Sequence, residues 1–286
     1  MKMKRFFSVL CALVTVWMLV CSALPAEALN DDDKVIVAFG DSITASGKWF
    51  SVAEKEFGIK VVNKGVGGEN SKDGRARLNG VLAYKPDIVV LSFGMNDAAY
   101  DMAKYVPLEN YKENMAYMVD KMQEKGIKVI LLIVNPIGEE PYYTRHDKSK
   151  FVEFGGANAF FFRYVEAARA LGREKKLTVI DMYQPLYDTG KWNDYLADGV
   201  HPNNNGYAMF AEAFKEALYR VDLGDVNGDG RIGPVDYMLV KSDVLGSKKL
   251  TDRKRYGDVN GDGNIGPVDY MLIKSHVIGS AEINRY

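Results

Sequence analysis

VIVAFGDSIT, Val35 to Thr44, is the stretch from which the rest of the chain can be read. Val35–Phe39 is an unbroken apolar run led by three β-branched residues, without the polar alternation of a half-exposed strand. Such a run predicts a strand buried on both faces. Gly40-Asp41-Ser42 then stops it with turn-forming residues and leaves a serine hydroxyl at the strand's carboxyl end. Alone, Gly-Asp-Ser is ordinary turn sequence. It also differs from the Gly-x-Ser-x-Gly elbow, because Thr44 stands where the second glycine belongs.

Four more β-branched runs follow, Lys60–Asn63, Asp87–Phe93, Lys128–Val134 and Leu177–Asp181. Helix-period stretches separate them around 47–57, 71–84, 107–125 and 157–175, and a last helix is expected from Asn204 to about Arg220. Strand and helix in alternation predict an α/β fold with a parallel sheet covered on both faces, and a ligand site beyond the carboxyl ends of the strands. Three more blocks stand at such places. The second strand runs into Asn63-Lys64-Gly65-Val66-Gly67-Gly68-Glu69-Asn70, which fails the dinucleotide pattern Gly-x-Gly-x-x-Gly. The third ends in Gly94-Met95-Asn96-Asp97, and Asp198-Gly199-Val200-His201-Pro202 precedes the last helix.

A serine hydroxyl becomes nucleophilic only when a base accepts its proton. Three histidines are available. His276 has Asp243 at the matching position of a repeat described below, which predicts a surface site. His146 lies among Arg145, Asp147 and Lys148 and is expected in a solvated loop. His201 has an acid, Asp198, three residues before it. A carboxylate there can orient the neutral ring and stabilise the imidazolium formed in turn. Each of these residues alone also reads as turn, cap or helix start; their joint placement points to a site.

In this order the four blocks resemble the SGNH branch of the GDSL esterases, over about residues 34–220. The resemblance implies a flavodoxin-like three-layer sandwich with a parallel five-stranded sheet. It implies Ser42 as nucleophile, His201 as general base and Asp198 as its orienting carboxylate. It further implies an oxyanion hole made by the backbone N–H groups of Ser42 and Gly68 (Gly67 as the neighbouring choice) and the Asn96 carboxamide, with no cofactor for catalysis.

Near the C-terminus the chain repeats itself: Gly224–Ser247 and Gly257–Ser280 lie 33 positions apart and differ at four sites. Each copy opens with oxygen ligands spaced as in a calcium loop. Asp225, Asn227, Asp229 and Asp236 stand at positions 1, 3, 5 and 12, with the Arg231 carbonyl at 7; the second set is Asp258, Asn260, Asp262, Asn264 and Asp269. Position 12 is Asp where an EF-hand has Glu, and no helix pattern precedes either loop. A helix follows each, opened by Pro234 or Pro267, with Val235, Met238, Leu239 and Leu245 as an apolar stripe. Loop plus helix, duplicated, resembles a type I dockerin over about residues 222–286. That resemblance implies two structural calcium ions and a cohesin module as partner. Loop positions 10 and 11, where dockerins often carry hydroxyl residues, are Pro234-Val235 and Pro267-Val268. With Tyr237, Lys241, Tyr270 and Lys274 they make two nearly equal surfaces, predicting cohesin binding in two orientations. The alternative is a calcium-stabilised appendage that binds nothing.

Lys2, Lys4 and Arg5 before the apolar run Phe6–Leu24, then Ala26-Glu27-Ala28, predict an export signal cleaved after Ala28, the alternative being an uncleaved anchor. The expected organisation is signal peptide 1–28, hydrolase domain 29–221 and dockerin 222–286. Both cysteines, Cys11 and Cys21, fall inside the signal, so a mature chain would hold no thiol, which excludes thiolate chemistry and disulfides. A net charge of −1 gives no footprint for nucleic acid.

Export with a dockerin-like tail predicts an extracellular, cellulosome-associated esterase. Its expected substrates are acetyl esters on plant wall polysaccharides such as xylan or pectin, with no membrane partner after signal cleavage. A lipase or thioesterase of the same family and a non-catalytic sugar-binding module are the alternatives. The long irregular segment from Pro136 to Ala157 carries Tyr142, Tyr143, Phe151 and Phe154, which either stack on sugars or pack beneath the segment. Trp49 and Trp192 lie near site-bearing segments, and Phe160-Phe161-Phe162 reads as helix core.

Overall fold

Five parallel strands run in the order β2-β1-β3-β4-β5 in the computed structural model of the protein. The structure describes residues 34–283 apart from 52–54, 56–59 and 252. The expected leader, with Cys11 and Cys21, and part of the helix expected around 47–57 lie outside the described residues. β1 (Ile36–Gly40) is flanked by β2 (Val61–Gly65) and β3 (Ile88–Ser92), and β4 (Lys128–Ile133) and β5 (Thr178–Asp181) extend the sheet on one side. Strand order reverses between β1 and its two neighbours, so a crevice opens at their carboxyl ends. Gly40 pairs with both Gly65 and Ser92, so these three strands finish level and deliver their following loops to one edge.

Side-chain pattern explains the elements. Ile36 to Phe39 and Ile88 to Leu91 are buried, as expected of central strands, whereas the edge strand β2 is half-exposed and tolerates Asn63 and Lys64. Helices Ser71–Leu82, Leu108–Gln123, Ala157–Glu174 and Asn204–Val221 fall where helical period predicts them. Leu108–Gln123 buries Tyr111, Met115, Met118, Val119 and Met122, a stripe of three- and four-residue steps. Each large apolar side chain fully buried this way contributes about 1.5–3 kcal/mol. The triplet expected as core divides: Phe160 and Phe161 are buried, and Phe162 turns outward at 36% exposure, because successive helical residues step about 100° around the axis. At Gly65 a Cβ would sit 2.1 Å from the Ala45 nitrogen, so only glycine lets β2 lie against the turn that follows β1.

The tail forms helices Pro234–Val244 and Pro267–Val277 around a small separate core of Val226, Val240, Val259, Ile273 and Ile283. Of the stripe read from sequence, Leu239 packs against this core and the other three residues do not. Val235, Met238 and Leu245 are 42%, 52% and 68% exposed, because the helix pair closes through Val240 and Ile273 on another side. Tyr237 and Tyr270 face one another with ring centroids 6.2 Å apart, half-buried and not fully presented. His276, expected on the surface, is also half-buried, and its Nδ1 lies 3.5 Å from the Ile283 N–H.

Asp222 joins the two parts. Its buried carboxylate accepts from Lys34 Nζ at 2.5 Å and Lys128 Nζ at 2.6 Å. Burial opposes its ionisation, but the two ammonium groups outweigh burial and hold its pKa at about 2. Arg253 lies 3.5 Å from the same carboxylate and donates through Nε to the Asp225 carbonyl, reaching into the first loop. Arg255 forks onto Glu216 at 3.0 and 3.2 Å. Among the described residues no helix is long and apolar enough to cross a membrane.

Candidate active site

Ser42 opens a single helical turn, Ser42–Ala45, capped by Asp41, whose carboxylate accepts from the Ile43 N–H at 2.9 Å. This cap fixes the serine at the mouth of the crevice. Asp41 is buried, and burial, partly offset by the Ile43 N–H and by the charges of His201 and Lys104, raises its pKa to about 6. Ser42 Oγ lies 2.8 Å from His201 Nε2, and His201 Nδ1 lies 2.8 Å from Asp198 Oδ2. The other carboxylate oxygen of Asp198 accepts from the N–H groups of Val200 (3.0 Å) and His201 (2.8 Å), so one side chain shapes the loop and aims the ring. Burial opposes ionisation of Asp198, but the hydrogen bonds from His201 and Val200 win and hold it well below the usual carboxylate range. An ionised Asp198 requires the proton on Nδ1, which leaves Nε2 as acceptor toward the serine hydroxyl. This arrangement can pass a proton from hydroxyl to imidazole.

Gly67 and Gly68 border the space beside Ser42. A Cβ on Gly67 would lie 4.0 Å from Ser42 Cβ, while Gly68 takes φ +82° with nothing within 4 Å of its Cβ position. Among the described residues nothing accepts a hydrogen bond from the Gly68 N–H. Asn96 is 6% exposed, and its Nδ2 donates to the Glu69 carbonyl at 2.7 Å, leaving the second amide hydrogen for a ligand.

Sequence reasoning missed two neighbours. Lys104 Nζ donates to Asn96 Oδ1 at 2.6 Å, which fixes the amide's orientation. Burial lowers the Lys104 pKa, against the pull of Asp41. Arg145 donates to Asp198 Oδ2 at 3.1 Å and to the Asp198 carbonyl at 3.0 Å. Neither residue lies in a spaced motif; the signal was only cations in polar segments.

The segment from Pro136 to Ala157 is more ordered than its composition suggests, with helical turns at Glu139–Tyr142 and Lys148–Phe154. Tyr142 and Phe151 are buried, Phe154 packs on Tyr100 and Phe160, and only Tyr143 and Phe154 remain half-exposed. These rings therefore support the segment from beneath. His146 is not solvated as expected: its side chain is 6% exposed, stacked 3.7 Å from Tyr142 and bonded through Nδ1 to Asp101 at 2.7 Å. Burial lowers its pKa despite Asp101, so it serves as a neutral strut. Trp49 is core, edge-on to Phe50 and Phe214.

In the tail, Asp225, Asp229 and Asp236 offer carboxylate oxygens all within 4.8 Å of one another, a donor set fitting a hard cation. Asp236 also accepts from the Val226, Asn227 and Gly233 N–H groups, and Asp269 repeats this with Val259, Asn260 and Gly266. Asp258 and Asp262 line the second loop, where Asn260 Nδ2 donates to Asp262 Oδ2 at 2.9 Å.

Two family models match the chain, one on each part. The model of the type I dockerin domain matches residues 223–278, so the chain carries that domain. An uncharacterized lipoprotein of Bacillus subtilis is 29% identical over 184 residues, covering 56% of this chain and 75% of the relative. An acetylxylan esterase of Geobacillus stearothermophilus is 27% identical over 167 residues, covering 56% and 72%. The crystal structure of a lipase/acylhydrolase from Enterococcus faecalis superposes with a TM-score of 0.52 at 27% identity, covering 63% of this chain and 93% of that one. The model of the GDSL-like lipases and acylhydrolases spans residues 38–209, from the first strand through the serine turn and the aspartate–histidine loop, and the chain belongs to that family.

Proposed function

We propose that the protein is a secreted serine esterase that removes acetyl groups from plant wall polysaccharide, with Ser42, His201 and Asp198 as its triad. The observation that carries this reading is the unbroken path Ser42 Oγ–His201 Nε2 and His201 Nδ1–Asp198, both links 2.8 Å. Ser42 Oγ attacks the ester carbonyl while its proton passes to His201 Nε2. The N–H groups of Ser42 and Gly68 and the free amide hydrogen of Asn96 bind the oxyanion, each such donor being worth about 2.7–4 kcal/mol. The sugar hydroxyl leaves with the proton from Nε2, and water repeats the sequence to free acetate and Ser42. Support for acetyl on xylan or pectin comes from the dockerin tail and from the relative named as an acetylxylan esterase.

The tail plugs into a cohesin, through either of two faces centred on Pro234, Val235 and Lys241 or on Pro267, Val268 and Lys274. Two calcium ions hold its loops: Asp225, Asn227, Asp229, Asp236 and the Arg231 carbonyl in the first, Asp258, Asn260, Asp262, Asp269 and the Asn264 carbonyl in the second. Bound there, calcium would screen the clustered carboxylates and fix the loops.

Acetate release from acetylated xylan and acetylated pectin tests the substrate. Efficiency on synthetic esters should fall steeply beyond about four carbons, since a site built for acetyl gives added methylenes, worth about 0.8 kcal/mol each when buried, nothing to bury against. A preference for octanoyl esters would favour the lipase reading.

Lys104 gives a separate prediction. Lys104→Met should lower kcat about tenfold or more at little cost in KM, because Asn96 loses the contact that aims its amide. Since burial lowers the Lys104 pKa, its ammonium is lost as pH rises below the ordinary lysine range, so kcat should decline along an alkaline limb. Lys104→Arg should restore part of kcat and shift that limb upward. An unchanged kcat and pH profile in Lys104→Met would remove the residue from the mechanism.

A further inference from the structure

Beyond the carboxyl ends of β4 and β5 lies a cleft of about 590 Å³, within the size range of ligand pockets. Its aromatic wall includes Tyr187, 44% exposed, which lies between Tyr183 (5.7 Å, 13° between planes) and Trp192 (5.0 Å, 20°). Phe162, the ring that turned out of the helix core, extends this wall. Carboxylates and amides, including Glu140, Asn158 and Asn193, share the lining, and among the described residues it includes no lysine or arginine.

The cleft adjoins the triad. Trp192 Nε1 donates to the Ile137 carbonyl at 3.1 Å, and the Gly138 N–H donates to the carbonyl of Gly199, next to Asp198, at 2.9 Å. Asn193 and Gly199 both press on Gly138, where a Cβ would lie 2.2 Å from Asn193 Oδ1 and 3.1 Å from Gly199 Cα. Two adjacent residues thus carry the cleft wall on one side and the acid loop on the other.

We infer that this cleft is a binding subsite for a neutral glycan chain whose acetylated unit lies at Ser42, an inference that rests on the polysaccharide esterase reading above. Sugar rings combine apolar C–H faces with hydroxyl donors, and the cleft pairs aromatic carbon with carboxylate and amide acceptors. An acyl chain would cover the exposed Glu140 carboxylate without offering it a donor. A polyuronate would bring anions against Glu139 and Glu140, and Arg169, which touches the lining at Phe162 and Gln184, is already paired with Glu166 and Asp181. The chemistry therefore selects a xylan-type backbone over galacturonan.

The test is calorimetric titration of xylohexaose and of oligogalacturonate into the full-length Ser42→Ala protein, with and without Tyr187→Ala or Glu140→Lys, both at exposed positions. Xylohexaose should bind, Tyr187→Ala should weaken it about tenfold, and oligogalacturonate should bind only after Glu140→Lys. In the Ser42 enzyme, Tyr187→Ala should lower kcat/KM on acetylated xylan about tenfold relative to that on 4-nitrophenyl acetate. Unaltered xylohexaose affinity and an unaltered ratio, with the thermal midpoint preserved, overturn the subsite. Oligogalacturonate binding as tightly as xylohexaose to the Glu140 protein overturns the choice of a neutral chain. Should Tyr187-dependent xylohexaose binding occur without acetate release from any acetylated polysaccharide, the subsite stands and the esterase reading falls. Acetate release indifferent to Tyr187 leaves the esterase reading and removes the subsite.

Discussion

Ser42→Ala should yield a folded protein whose hydrolysis of 4-nitrophenyl acetate is reduced at least about a thousandfold, and His201→Ala should match it. The two losses should not add, since hydroxyl and imidazole act in one proton transfer. Fold should survive, because the turn is held by Asp41 on the Ile43 N–H and by glycine contacts, none of which uses Ser42 Oγ. Asp198→Ala should retain more activity than either, although it also removes the acceptor for Val200 and His201 N–H and one partner of Arg145. Steady-state kinetics beside circular dichroism decide the matter: substantial turnover by folded Ser42→Ala would sink the triad.

The second large effect belongs to the tail. Stripping divalent cations with chelator should unfold residues 222–286 and abolish cohesin binding, while esterase activity persists. Among the described residues five buried apolar side chains form the small core of that part, too little to offset the repulsion of carboxylates gathered within 4.8 Å. Ser42, His201 and Asp198, by contrast, lie in neither loop. Far-ultraviolet dichroism of the isolated tail, and kinetics of the whole chain, each with and without calcium, provide the readout. A whole-chain esterase that loses activity reversibly with chelator, and a chain truncated before Val221 that does the same, would contradict this separation.

Much of this architecture was legible because it is written locally. Unbroken runs such as Val35–Phe39 leave little choice but a buried parallel strand, and strands that finish level bring their following motifs together. Asp198 and His201 were legible because a separation of three residues on a loop is a geometric statement in itself. Lys104, Arg145 and His146 were not. Asn96 stands 8 residues from Lys104 across an irregular loop, and Asp198 and Asp101 stand 53 and 45 residues from Arg145 and His146, so no regular element links any of these pairs. His146 shows the point sharply: a histidine among charged neighbours reads as solvated until Tyr142 and Asp101 close over it. The apolar stripe of the tail failed for another reason. Periodicity identifies an apolar face without saying what covers it, and Val235 and Met238 belong to a face the chain itself leaves open.

Asp222 gives the two halves a fixed polarity. Its lysine partners stand at the amino ends of strands, Lys34 just before β1 and Lys128 opening β4, whereas Ser42 follows the carboxyl end of β1. The tail grips the underside of the sheet and the chemistry faces out from the top, a strand's length of about 17–20 Å away. A partner that seized the tail would hold the protein like a lamp by its stem, with the lit end, Ser42, turned away from the hand.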